Sequence, residues 1–327
     1  MKSVKNSWGS SIKDGEYHRK ESQFRNWITL DGSAGITGRG GFQAEAGRYH
    51  LYVSLACPWA HRTLIFRQLK GLEDLITVSV VHPDMHKNGW SFKHDEESEK
   101  LYGTTGDDLY DGKFISEKYL AQDPDYSGVN SVPVLWDKKD KVIVNNESSE
   151  IIRMFNSAFN EITGNTLDFY PEHLREEIDL ANELVYHKIN NGVYKTGFAT
   201  TQEAYDKNVK ELFAALEHLD EKFSKQRYLA GDEITEADWR LWATLVRFDS
   251  VYHTHFKCNL KLIKEFSNIY NYMLELYQIP NVAKTVNEAH IKRHYYASHL
   301  AINPYGIVPI AHQQNWALSH NRDTKFN

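Results

Sequence analysis

The chain has 327 residues, 41% of them hydrophobic, enough for one large core or two ordinary ones. Its formal charge of −6 offers no basic footprint for nucleic acid, and no stretch approaches the ~18 apolar residues of a membrane helix. The only two cysteines, Cys57 and Cys258, lie far apart with no Cys-x-x-Cys pair, which argues against a disulfide framework and leaves redox chemistry to a single thiol whose partner sulfur comes from outside.

Met1-Lys2-Ser3-Val4-Lys5-Asn6 lacks the apolar core of a signal peptide, so a soluble protein of a reducing cytosol is expected. Residues 1–47 are polar and rich in Gly and Ser, with isolated Trp8, Phe24 and Trp27. The run Gly32 to Gly41 has the composition of a phosphate-binding loop, but no helix follows and no Gly-Lys-Ser/Thr closes it. It is expected to be a flexible loop.

Tyr49-His50-Leu51-Tyr52-Val53 reads as a buried strand over 49–54. A helix follows over 58–70, with Pro58 in its first turn, and then a strand over 75–81. This βαβ opening favours a parallel sheet. Cys57 falls at the strand-to-helix junction, where the N–H groups of the helix start favour an anion. Such a position lowers a thiol pKa from ~8.5 into the range of about 3.5–7.5 and populates the reactive thiolate. The plain alternative is a small buried thiol that merely packs; the junction and Pro58 favour chemistry.

A long polar insert runs from His82 to about Asn130, a length that in compact domains marks function or partial structure. Ser131–Trp136 and Lys141–Asn145 then read as strands around the turn Asp137-Lys138-Lys139-Asp140. A helix starts at Glu147-Ser148-Ser149-Glu150 and continues through Ile151, Ile152, Met154 and Phe155. The order β-α-β-(insert)-β-β-α is a thioredoxin-like layout. Residues 157–170 read as linker.

After about residue 171 the pattern is helical. Leu174, Ile178, Ala181 and Val185 share one face, as do Val209, Leu212, Phe213, Leu216, Leu219 and Phe223. Thr235 with Asp238 three residues on marks a helix start, with Ile234 placed to staple onto Trp239. The expected organisation is an extension over 1–47, a thioredoxin-like domain over 48–157 and an all-helical domain over 171–327.

An α/β half with a junction cysteine followed by such a helical half is similar to a cytosolic glutathione transferase. Six segments narrow the match: Cys57-Pro58-Trp59-Ala60-His61-Arg62, Val132-Pro133-Val134-Leu135-Trp136-Asp137, Asn145 to Asn156, Asn190 to Ala199, Arg247 to Tyr252, and Arg293-His294-Tyr295-Tyr296. Together they resemble the glutathionyl-hydroquinone reductases, the Xi-class glutathione transferases, over nearly the whole chain from about residue 24.

The resemblance implies roles. Val132-Pro133 would be the cis-proline site, leaving the N–H and C=O of Val132 to pair with the glutathione backbone as a strand would. Glu147 would hold the γ-glutamyl ammonium and Ser148 the α-carboxylate at a helix N-terminus; alone, Glu-Ser there reads as a cap. Trp90 would lie over glutathione, or else anchor the insert. Tyr194, Tyr252 and Tyr295 would bind the oxygens of an aromatic acceptor and protonate a developing carbanion, with Tyr296 an alternative to Tyr295. Val129 stands where the family often carries Arg, which would weaken the hold on the glycyl carboxylate unless a nearby Lys or His substitutes. Cys258, beside neither a helix start nor a strand junction, reads as structural.

The implied activity is glutathione-dependent reduction of glutathionyl-hydroquinones through a Cys57–glutathione mixed disulfide, with glutathione as cosubstrate and no bound cofactor or metal. The implied partners are glutathione and its aromatic conjugates, with no nucleic acid or membrane, in a cytoplasmic homodimer. A broader thiol transferase acting on glutathionylated proteins or dehydroascorbate needs the same cysteine, and a non-enzymatic glutathione-fold binding protein needs none; the tyrosines favour an aromatic substrate.

Overall fold

The computed structural model describes residues 12–38, 40–310 and 314–326. The Met1–Asn6 stretch, Trp8, and Arg39 of the Gly-rich run lie outside them. The chain divides into two compact units. One takes Lys20–Asp168 and Thr285–Ser298; the other takes residues 12–19, 169–284 and 299–326 of those described.

The short hairpin β1 (Ile12–Lys13) and β2 (Glu16–Tyr17) belongs to the second unit. The first unit opens with β3 (Trp27–Thr29) paired parallel to β4 (Gly41–Gln43). The described residues of the Gly-rich run between them form a largely exposed loop that comes close to its neighbours at particular glycines. A Cβ on Gly35 would meet the Trp27 side chain at 2.0 Å, and one on Gly41 would meet the Ser33 carbonyl oxygen at 1.8 Å. These glycines serve close approach.

The main sheet contains β5 (Tyr49–Val53), β6 (Ile76–Val80), β7 (Val134–Asp137) and β8 (Val142–Asn145), in the order β6-β5-β7-β8. β5 and β6 are parallel and joined through α1 (Pro58–Leu69), as the βαβ pattern requires. β7 and β8 run antiparallel to their neighbours. All five residues of β5 are buried, which is why that central strand shows a continuous apolar run.

The insert holds two helices, α2 (Glu96–Tyr102) and α3 (Ser116–Gln122). Asp95 caps α2 by accepting from Ser98 N at 2.8 Å, and Gly103 ends it at φ 66. α3 leads into β7 and completes the thioredoxin-like order, which α4 (Ser148–Ser157) closes. A short α5 (Asn160–Thr163) follows.

The second unit carries α6 (Arg175–Leu184), α7 (Gly192–Gly197), α8 (Gln202–Lys225), α9 (Glu236–Leu245), α10 (His253–His255) and α11 (Ser267–Gln278). The predicted α8 stripe from Val209 to Phe223 is buried. Wide π-helical turns occupy Val185–Asn190 and Phe248–Tyr252, an irregularity that concentrates at functional sites. The helix α12 (Glu288–Ser298) returns to the first unit, and α13 (Arg322–Lys325) lies in the second. Among the described residues no helix is long and apolar enough to cross a membrane.

Candidate active site

β5 delivers the chain to a tight turn before α1. Cys57 N donates to Ser54 O at 3.1 Å, and Ala56 N donates to Ser54 Oγ at 3.2 Å. Cys57 is the N-cap residue of α1, in extended backbone, with Pro58 at the first helical position. Its side chain makes no capping bond, and the half-buried Sγ lies 3.3 Å from Val132 O. As a thiol it donates to that carbonyl. As a thiolate it has no proton to give, and the field of the helix start favours the anion.

The Val132–Pro133 peptide bond is cis, and Val132 is buried. The irregular segment leading in is held by tyrosines: Tyr119 OH donates to Ser131 O at 2.8 Å and Tyr126 OH to Val129 O at 3.0 Å. Burial pushes the Tyr119 phenol up to about 12, so it remains a donor at neutral pH. Val129, where the resemblance led us to expect Arg, thus takes part through its carbonyl.

Glu147 is the N-cap of α4. Its Oε1 accepts from Ser149 N at 3.0 Å and Ser149 Oγ at 2.9 Å, and its Oε2 from Ser22 Oγ at 3.0 Å. Ser148 is buried in the first turn, and its Oγ lies 3.4 Å from Arg62 Nη1. Arg62 is 2% exposed, and its guanidinium stacks 4.5 Å over the Trp59 ring. A buried guanidinium beside a helix N-terminus suits a carboxylate ligand. Sequence reading assigned Arg62 no role; a cation within the first turns of the helix that Cys57 opens was the available signal.

Trp90 is buried and stacked on His294 of α12, with centroids 4.5 Å apart and planes at 29°. The structure therefore gives the indole a protein partner from a distant part of the chain. His294 Nδ1 donates in turn to Pro83 O at 2.8 Å. Tyr295 and Tyr296 are both buried, so burial does not choose between them.

Tyr194 and Tyr252 belong to the helical unit, Tyr295 to the α/β unit. The first two have centroids 6.2 Å apart, and Phe256 lies 5.5 Å from each. Phe198 and the buried, hydrogen-bonded pair His255 and His299 (3.1 Å) extend this aromatic group, which sequence reading did not find. Tyr194 with Phe198 and Tyr252 with Phe256 are i,i+4 pairs, but only tertiary structure brings the two segments and His299 together.

Cys258 is fully buried, and desolvation pushes its thiol far above the usual range. Among the described residues, no three His, Cys, Asp or Glu side chains gather in a way that would hold a metal.

Two family descriptions match the chain: "Glutathione S-transferase, N-terminal domain" over residues 56–158 and "Glutathione S-transferase, C-terminal domain" over 202–275. Glutathionyl-hydroquinone reductase YqjG of Escherichia coli is 54% identical over 312 residues, covering 95% of this chain and 94% of the relative. The glutathione-bound structure of YqjG superimposes with a TM-score of 0.90 at 53% identity, covering 96% of this chain and 99% of that one. A Xi-class glutathione transferase structure from Natrialba magadii gives 0.86 at 50% identity, covering 92% of this chain and 89% of that one.

Proposed function

The chain belongs to the Xi class of the glutathione S-transferase family, and on that premise we propose that it is a glutathionyl-hydroquinone reductase. The observation that carries the reading is the Cys57 thiol, which stands at the N-cap position of α1 and lies 3.3 Å from the Val132 carbonyl at a cis X-Pro bond.

The Cys57 thiolate attacks the glutathione sulfur of the conjugate. An S–S bond forms, and the sulfur–aryl bond breaks with its electron pair left on the ring carbon. That carbon takes a proton and leaves as the hydroquinone. Tyr194, Tyr252 and Tyr295 are assigned to the acceptor, binding its oxygens and supplying the proton. A second glutathione, as thiolate, attacks the Cys57 mixed disulfide, releasing glutathione disulfide and restoring Cys57. Two half-reactions through a covalent enzyme form give ping-pong kinetics.

Glutathione is assigned to the α/β unit. Val132 pairs with its peptide backbone, Glu147 takes the γ-glutamyl ammonium, and Ser148 with the α4 N-terminus takes the α-carboxylate. Trp90 lies against the tripeptide with one face while His294 backs the other. We also assign the protein to the cytoplasm as a homodimer; a monomer mass in sedimentation velocity would remove the dimer.

Intact mass spectrometry tests the chemistry. The protein is mixed with glutathionyl-menadiol without free glutathione. One glutathione on a Cys57 peptide, with one equivalent of menadiol released, is expected. An adduct from glutathione disulfide but not from the conjugate would move the protein to a broader thiol transferase. No adduct from either would leave a binding protein.

A further inference from the structure

The segment Ser22–Thr37 frames the start of α4, and none of the roles above uses it. β8 is the edge strand of the main sheet, and residues 24–26 lie along its end. Asn26 N donates to Val144 O at 3.0 Å, Asn146 N to Phe24 O at 3.0 Å, and Phe24 N to Asn146 Oδ1 at 3.1 Å. The backbone of the extension is thereby set directly beside the Glu147–Ser148 helix start.

From that strap, three side chains reach the start of α4. Ser22 Oγ lies 3.0 Å from Glu147 Oε2 and 3.2 Å from Asn146 O. The Arg25 guanidinium grips Glu150 with two nitrogens, Nε at 2.7 Å from Oε2 and Nη2 on Oε1. The Glu150 side chain is 8% exposed, so this is a charge-assisted fork on a nearly buried carboxylate. Thr37 Oγ1 donates to Glu150 Oε1 at 2.7 Å and Asn145 Nδ2 to Glu150 Oε2 at 2.8 Å. Asn145 closes the frame: its Nδ2 also donates to Asn26 O at 3.0 Å, and its Oδ1 accepts Glu147 N at 2.6 Å.

The Glu147 carboxylate thus takes its orientation from two sides. One oxygen is fixed by Ser149 of its own helix and the other by Ser22 of the strap. Arg25 and Glu150 fix the helix turn on which both carboxylates stand. We infer that Ser22 and Arg25 are positioning residues for γ-glutamyl recognition, acting through Glu147 and Glu150 without touching the ligand. This rests on the glutathione reading proposed above.

The test separates recognition from general support. Cys57 is first converted to its mixed disulfide with mercaptoethanol by exchange with bis(2-hydroxyethyl) disulfide, which releases one mercaptoethanol. Its reduction is then timed with glutathione and with N-acetylcysteinylglycine, which keeps the thiol and peptide but lacks the γ-glutamyl ammonium and carboxylate. The wild-type protein should react faster with glutathione. Arg25→Ala should cut that advantage about tenfold and Ser22→Ala about threefold, with the rate for the truncated thiol unchanged. Arg25→Lys, which keeps the charge but not the fork, should lie between wild type and Arg25→Ala. Proportional loss with both thiols, or no loss with either, overturns the inference. A wild-type protein without preference for glutathione would overturn the underlying reading, a separate result.

Discussion

Cys57 and Cys258 are the same residue type in opposite environments, and the difference is electrostatic. Cys57 is half-buried at a helix start, where an anion is favoured. Cys258 is wholly buried, and desolvation disfavours its thiolate. Iodoacetamide at neutral pH should therefore alkylate Cys57 in the native protein and reach Cys258 only after unfolding, as peptide mapping would show. Cys57→Ser should abolish turnover, whereas Cys258→Ala should leave the mixed-disulfide step within about twofold of wild type. Equal labelling of both native thiols would refute this account. His50 makes a second contrast. It is fully buried in β5, its Nδ1 lies 2.7 Å from Thr77 Oγ1, and burial pushes its pKa down to about 3. The folded protein keeps the ring neutral while the unfolded chain takes a proton below about pH 6.5. Stability contributed by this group is present above that pH and is lost as the pH falls towards about 3, by about 2 kcal/mol at pH 5. Denaturant titrations between pH 7 and pH 4 should show this loss in wild type and a shallower slope in His50→Phe; matching slopes would rule His50 out as its source.

At the scale of the element, the informative cases are helix starts. α9 is anchored by Asp238, whose carboxylate is fully buried and accepts from Thr235 N at 2.8 Å, Leu229 N at 2.9 Å and Tyr272 OH at 2.9 Å. Removing it strands buried donors from three segments at once. Asp238→Ala should cost about 3 kcal/mol or more in denaturant unfolding, and Asp238→Asn less; a cost below about 1 kcal/mol would show the network to be dispensable. The Thr235-x-x-Asp238 pattern is local chemistry, so sequence alone located this start, as it located α1 from Pro58 and α8 from its apolar stripe. α2 and α3 escaped because each has only seven residues and a charged sequence, too short for a period to emerge. Arg62 and the His255–His299 pair escaped for another reason: their meaning depends on partners, Ser148 in one case and each other in the second, that only tertiary structure supplies.

At the scale of the whole molecule, the chain is not two consecutive halves, because α12 belongs with the α/β unit. Glu288–Ser298 falls in the stretch expected to be helical, but the sequence does not give its destination; in the structure, buried histidines tie this part of the chain to the α/β unit. His61 Nε2 lies 2.7 Å from Thr285 Oγ1. His290, fully buried, has Nδ1 2.8 Å from Tyr102 O and Nε2 3.1 Å from Ser54 Oγ, 236 residues away in sequence. A carbonyl only accepts, so Nδ1 carries the proton and the neutral ring accepts from Ser54 through Nε2. Ser54 in turn receives Ala56 N on its hydroxyl and Cys57 N on its carbonyl. α12 is thereby linked through one histidine and one serine to the turn that presents the nucleophile. His290→Ala should slow Cys57 adduct formation about three- to tenfold by loosening that turn, in addition to a stability cost of about 2–4 kcal/mol. The two effects are separable. Ser54→Ala removes the serine link but leaves the His290–Tyr102 bond, so it should slow adduct formation while costing less stability than His290→Ala. If Ser54→Ala leaves the adduct rate at the wild-type value, α12 supports the fold without setting the position of Cys57.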